Sequence, residues 1–127
     1  MTYSLFLGVF APMQREVYEI AQEHGFHDPR AEFGTQIALM HSELSEALEA
    51  WRTPLDSPRA PGSGAWTPQE LAERAVQKQA YIAEEFADLV IRVMDTCQSL
   101  GIDLGKAIAK KVEQNRLRPY RHGGKGC

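Results

Sequence analysis

Only two cysteines occur among the 127 residues, too few for a disulfide framework. Cys97 falls on an apolar helical stripe and Cys127 is the last residue, so a reducing cytoplasm is the expected setting. No run approaches the ~20 apolar residues that span a bilayer, and no membrane association is expected. Tyr3–Phe10 (YSLFLGVF) is apolar but short, with no basic leader or cleavage site, and reads as a packing segment rather than a secretory signal. No stretch alternates apolar and polar residues as a half-buried strand would, and there is no internal repeat. What remains is an ordinary globular composition, 43% hydrophobic and 24% charged, in a chain long enough to bury roughly two thirds of its unfolded surface.

Positive charge is scarce over most of the chain. Residues 1–105 carry seven Lys/Arg against sixteen Asp/Glu, whereas residues 106–127 carry seven against one. An acidic body with a basic end implies internal pairing or a shared anionic, metal-bearing ligand. Nucleic acid is not the expected partner, because the body is acidic and only Tyr120 interleaves the basic residues as a stacking platform.

Helix signals fill the chain. Pro12 can open a first helix and Gly25 can close it, which predicts about 12–24. A second helix is expected from Pro29, with Asp28 as N-cap, to just before Pro54. Its core stripe is Phe33, Ile37, Met40, Leu44, Ala47 and Trp51, recurring at steps of four and three. Residues 53–66 hold three prolines and two glycines and form a loop insertion. Thr67-Pro-Gln-Glu70 is a capping box opening a helix over about 68–99, with a break expected near Gln77. The stripe of that helix is Ile82, Phe86, Leu89, Val93, Cys97 and Leu100. Gly101 ends it, and Asp103 caps a last helix over about 104–117. The expected fold is an all-α bundle of four to five helices in one domain, with a basic tail at 118–127.

Two acidic pairs stand out, Glu43-Leu-Ser-Glu46 and Glu85-Phe-Ala-Asp88. Each sets two carboxylates one turn apart on the same side of a helix. At about 100° per residue, Glu43 lies about 80° and Glu46 about 140° to the less polar side of their stripe. His41, Ser42, Ser45, Glu49 and Arg52 occupy the other, solvated flank. Glu85 and Asp88 share a flank with Tyr81 and Arg92, while Glu84 and Asp95 fall on the far side. If the two stripes pack antiparallel, the four carboxylates can face one another. Clustered carboxylates repel unless a cation sits among them, and an all-oxygen cage suits Mg²⁺, with Mn²⁺ as the alternative. Such pairs also occur on helices merely to keep a surface soluble.

The basic end has its own logic. Lys111 and Asn115 lie one turn apart on the last helix, followed by Arg116, Arg118, Arg121, His122 and Lys125. Arginine grips phosphate oxygens bidentately, lysine adds a point charge, and glycines beside His122 and Lys125 would let backbone N–H groups approach an anion. A solvated basic tail is the plain alternative.

The order of these elements resembles the MazG-like family of all-α nucleoside triphosphate pyrophosphohydrolases. The resemblance covers roughly residues 33–125 and rests on the two acidic pairs, the second within AEEFADLVIRVMD, the turn Gly101-Ile-Asp103-Leu104, and KKVEQNRLRP at 110–119. It implies a helical bundle that assembles as a homodimer or homotetramer through its apolar faces. It implies cleavage of an NTP or dNTP to the monophosphate and pyrophosphate, in nucleotide-pool house-cleaning. By that likeness Glu43, Glu46, Glu85 and Asp88 are the catalytic, Mg²⁺-binding carboxylates, and Lys111, Asn115, Arg116, Arg118 and Lys125 hold the phosphates. Phosphoribosyl-ATP pyrophosphohydrolases and a non-catalytic nucleotide-sensing module are the rival readings. Ser42 stands where the family often has a further glutamate, which leaves the number of metals open. The stretch between the pairs is also longer than usual.

Overall fold

The computed structural model describes residues 3–120, and these contain four α-helices and no β-strand. The helices are α1 (Ser4–Glu23), α2 (Phe33–Arg52), α3 (Pro68–Ser99) and α4 (Leu104–Arg116). None is long and apolar enough to cross a membrane. The chain divides into two units. One comprises Arg30–Val93; the other comprises the residues up to Pro29 and those from Met94 onward.

In the second of these units α1 packs on α4. The helix begins at Ser4 rather than Pro12, and Pro12 lies inside it. A proline there removes one backbone N–H from the helical ladder. The apolar residues before it outweigh that loss. Phe10 and Leu7 close over Gly105 of α4, where an added Cβ would stand 3.1 Å from the Phe10 ring and 3.4 Å from Leu7. The expected Gly25 terminus is observed: Gly25 takes φ +80°, and Phe26 N–H bonds Ala21 C=O. Gly101 ends α3 in the same manner, at φ +69° with Ile102 N–H on Cys97 C=O. Asp103 caps α4 through Oδ1, which accepts from Lys106 N–H.

Buried Gln14 ties this unit together. Its amide nitrogen donates to Gln98 Oε1 at 3.0 Å and to Ile102 C=O at 2.9 Å, and its Oε1 accepts from Leu104 N–H at 3.2 Å. Gln14→Ala strands these groups, and a lost buried hydrogen-bonding partner costs about 1–3 kcal/mol. A drop of that size in urea-unfolding free energy is expected.

The other unit is built on α2 and α3. They run antiparallel, since Glu43 meets Arg92, Glu46 meets Tyr81, and Lys78 meets the Trp51 carbonyl. The second helix starts at Phe33, not Pro29, with Glu32 rather than Asp28 in the N-cap position. The Gln36 side chain takes the Ala31 carbonyl at 2.6 Å, and His27 holds the preceding turn through Asp95, 2.8 Å away, and the Tyr18 ring. No break occurs near Gln77; α3 is continuous over 32 residues because its ladder meets neither proline nor glycine after Pro68. The capping box is observed, with Glu70 N–H on Thr67 Oγ1 and Thr67 N–H on Glu70 Oε2. The loop before it is pinned by Trp66, whose ring centroid is 4.0 Å from the Arg59 guanidinium and 4.1 Å from that of Arg74.

Much of the apolar stripe on these helices is not covered. Leu44, Leu48, Trp51, Ile82 and Phe86 line an open groove of about 450 Å³, and Trp51 is 71% exposed.

Candidate metal centre

Glu43 occupies the middle of α2 on the side turned to α3, and Glu85 and Asp88 lie one turn apart on α3. Carboxylate oxygens of these three residues lie within 4.8 Å of one another. Burial separates them from ordinary surface acids: Glu43 is 8% exposed and Glu85 6%, while Asp88 opens to solvent. Two oxygens on opposite sides of an octahedral Mg²⁺ stand about 4.2 Å apart, twice the metal–oxygen distance. Small side-chain adjustments therefore bring the three oxygens into bonding range of one hard cation. The donor set fits a divalent ion that prefers oxygen.

The buried pair is hydrogen-bonded within itself and held at both ends. Arg92 donates through Nε to Glu43 Oε1 at 2.6 Å. Glu43 and Glu85 bond to each other, and the Tyr81 hydroxyl bonds Glu85. Burial pushes the Glu85 carboxyl above its ordinary range. The Tyr81 hydroxyl opposes that shift, while the Glu43 bond and the charges of Glu46 and Glu43 add to it. Tyr81 is raised in turn, first by its bond to Glu85 and then by burial. Two carboxylates this close repel when both are charged, and a cation held between them offsets that repulsion.

Glu46 lies outside this group. It is exposed, with Oε1 3.4 Å from Ser42 Oγ and Oε2 3.5 Å from the Tyr81 hydroxyl. Glu84 is exposed and Asp95 pairs with His27, so neither joins the group. Lys111 and Asn115 are exposed one turn apart on α4. Arg116 reaches Glu113 at 3.6 Å and the Tyr3 hydroxyl at 3.3 Å, and exposed Arg118 follows the helix. Lys125, with Arg121 and His122, lies outside the described residues. The sequence places Tyr81 and Arg92 on the flank of Glu85 and Asp88, with Tyr81 a candidate for base contact and Arg92 without a role. The available signal was spacing, since Tyr81 precedes Glu85 by four residues and Arg92 follows Asp88 by four.

A curated relative matches about two thirds of the chain. It is a dATP/dGTP diphosphohydrolase of Cyanophage S-2L, 33% identical over 87 residues, covering 68% of this chain and 83% of the relative. The chain belongs to that nucleotide diphosphohydrolase family. No family model matches the sequence. No solved structure matches it either. Membership makes the cluster, which could hold a metal, a candidate active centre of a hydrolase acting on nucleoside triphosphates.

Proposed function

We propose that this chain is a MazG-like, Mg²⁺-dependent pyrophosphohydrolase that converts a (d)NTP to the (d)NMP and pyrophosphate, in nucleotide-pool house-cleaning. The observation that carries the reading is the buried Glu43–Glu85 pair with Asp88 beside it, in a chain related to a diphosphohydrolase. Purine deoxynucleotides are the first substrates to try, because that relative is named for dATP and dGTP.

Glu43, Glu85 and Asp88 would hold Mg²⁺, or Mn²⁺ in its place. The ion would supply charge neutralisation at the phosphoryl oxygens and a more acidic bound water. Glu46, exposed and one turn from Glu43, is the carboxylate left to accept that water's proton. The Tyr81 hydroxyl stands 3.5 Å from Glu46 Oε2. Lys111, Asn115, Arg116, Arg118 and Lys125 would bind phosphate oxygens and steady the departing pyrophosphate. The exposed apolar groove supports assembly as a homodimer or homotetramer; light scattering that returned a protomer mass would remove that element.

The test is product analysis. Incubated with dATP, dGTP and the pyrimidine dNTPs, the protein should release pyrophosphate and monophosphate in equal amounts with Mg²⁺, and nothing with EDTA. Release of inorganic phosphate, or an unchanged rate in EDTA, would remove the proposal.

A further inference from the structure

The family resemblance gives the phosphates to the basic residues of α4 and the tail. Within the unit that holds the carboxylates, one cation is better placed. We propose that Arg92 binds the polyphosphate beside the acidic cluster, with its guanidinium anchored to Glu43 through Nε and its two Nη amines donating to phosphoryl oxygens. This rests on the pyrophosphohydrolase reading above.

Three observations support it. Arg92 touches Glu43 with Nε alone, to Oε1 at 2.6 Å. Among the described residues neither Nη amine makes a hydrogen bond or ion pair, and the side chain is 41% exposed against 10% for that of Glu43. The fork therefore opens to solvent at the rim of the cluster. The neighbouring cations are committed elsewhere: Arg74 to Leu55 C=O and Ser57, Lys78 to the Trp51 and Thr53 carbonyls, Arg59 to Glu70.

Energetics point the same way. The pair joins a buried carboxylate to a cation that is 41% exposed, so the guanidinium keeps a solvent-facing side beside its partner. Its geometry does suit an anion. The planar guanidinium carries five donors, and one anchored donor fixes the plane of the rest, so less side-chain freedom is lost when phosphate arrives. The charge balance also asks for it. Three carboxylates consume the charge of one divalent ion, and a triphosphate brought to that ion needs a further cation close by.

Arg92→Gln separates this role from simple support of Glu43, because the two roles move metal and nucleotide affinity in different ways. Removing a positive charge beside the carboxylates leaves Mn²⁺ affinity, read by electron paramagnetic resonance without nucleotide, unchanged or tighter. Affinity for a non-hydrolysable α,β-methylene dATP with Mg²⁺, read by calorimetry, falls about tenfold or more, the scale of lost hydrogen bonds to a charged group. Arg92→Lys keeps the charge without the fork and recovers part of the loss. Far-UV circular dichroism confirms that both variants are helical. The proposal is overturned if the Gln variant binds the analogue within about twofold of wild type, or if its Mn²⁺ affinity falls in parallel with its nucleotide affinity. Wild type that neither binds the analogue nor hydrolyses any NTP removes the underlying reading as well; wild type that does both, beside an Arg92→Gln that equals it, removes only the role of Arg92.

Discussion

Glu85→Gln is expected to lower Mg²⁺-dependent turnover on the order of a hundredfold or more, and at the same time to raise the melting temperature of the metal-free protein. Both effects come from one arrangement. Glu85 is 6% exposed, and burial, with the charges of Glu43 and Glu46 nearby, pushes its carboxyl above the ordinary range. Glutamine has nearly the same shape and is permanently neutral, so it relieves the repulsion that the folded chain carries at neutral pH. It also removes a charged oxygen from the set that would hold the metal. The opposed signs are diagnostic: a purely structural residue would lose stability and activity together. Differential scanning fluorimetry in EDTA, beside a pyrophosphate-release assay with Mg²⁺, reads the two quantities on one preparation. A variant that melts lower than wild type without metal would show that Glu85 is not strained by its neighbours.

The second large effect is the response of stability to metal and pH. A group whose folded pKa lies above its unfolded value contributes stability that is complete below the unfolded pKa and is lost as pH rises through the folded one. For Glu85 the loss begins near the ordinary value of 4.5 and continues upward to its raised folded value. The metal-free protein should therefore melt progressively lower as pH climbs out of the acid range, by the part that Glu85 contributes. Bound cation reverses the slope, since it requires the carboxylate and releases the proton. At about a hundred times its dissociation constant an ion bound only by the folded state adds about 2.7 kcal/mol. The gain from Mg²⁺ should accordingly grow with pH and shrink toward nothing as Glu85 protonates. Melting curves with and without Mg²⁺ across that range check it, and a gain independent of pH would exclude Glu85 as a ligand.

Local signals in the sequence read through to the structure where local physics decides the outcome. The Gly25 and Gly101 termini, the Thr67–Glu70 capping box and the Asp103 cap depend on backbone groups within a turn of the residue concerned, and all four are observed. Where distant packing competes, the local signal fails. Pro12 reads as a helix start, but the residues before it pack on Gly105, so the helix runs through it. Pro29 likewise reads as a start, but the Gln36 side chain captures the Ala31 carbonyl and the helix begins at Phe33.

The centre divides in the same way. Spacing alone determined that Glu43 and Glu46 share a side of one helix and Glu85 and Asp88 a side of another, because a turn of 3.6 residues is intrinsic to the backbone. Spacing also kept Glu84 and Asp95 apart from them. Which carboxylates meet was decided by the antiparallel pairing of α2 and α3 and by side-chain reach across it. Glu43 meets Glu85 and Asp88, while Glu46, one turn along, meets Tyr81 and Ser42 instead. Only the tertiary structure carries Arg92 across to Glu43, a residue 49 positions away. Helical geometry sets the direction of a side chain, but the partner it finds depends on how far along and how close the neighbouring helix lies.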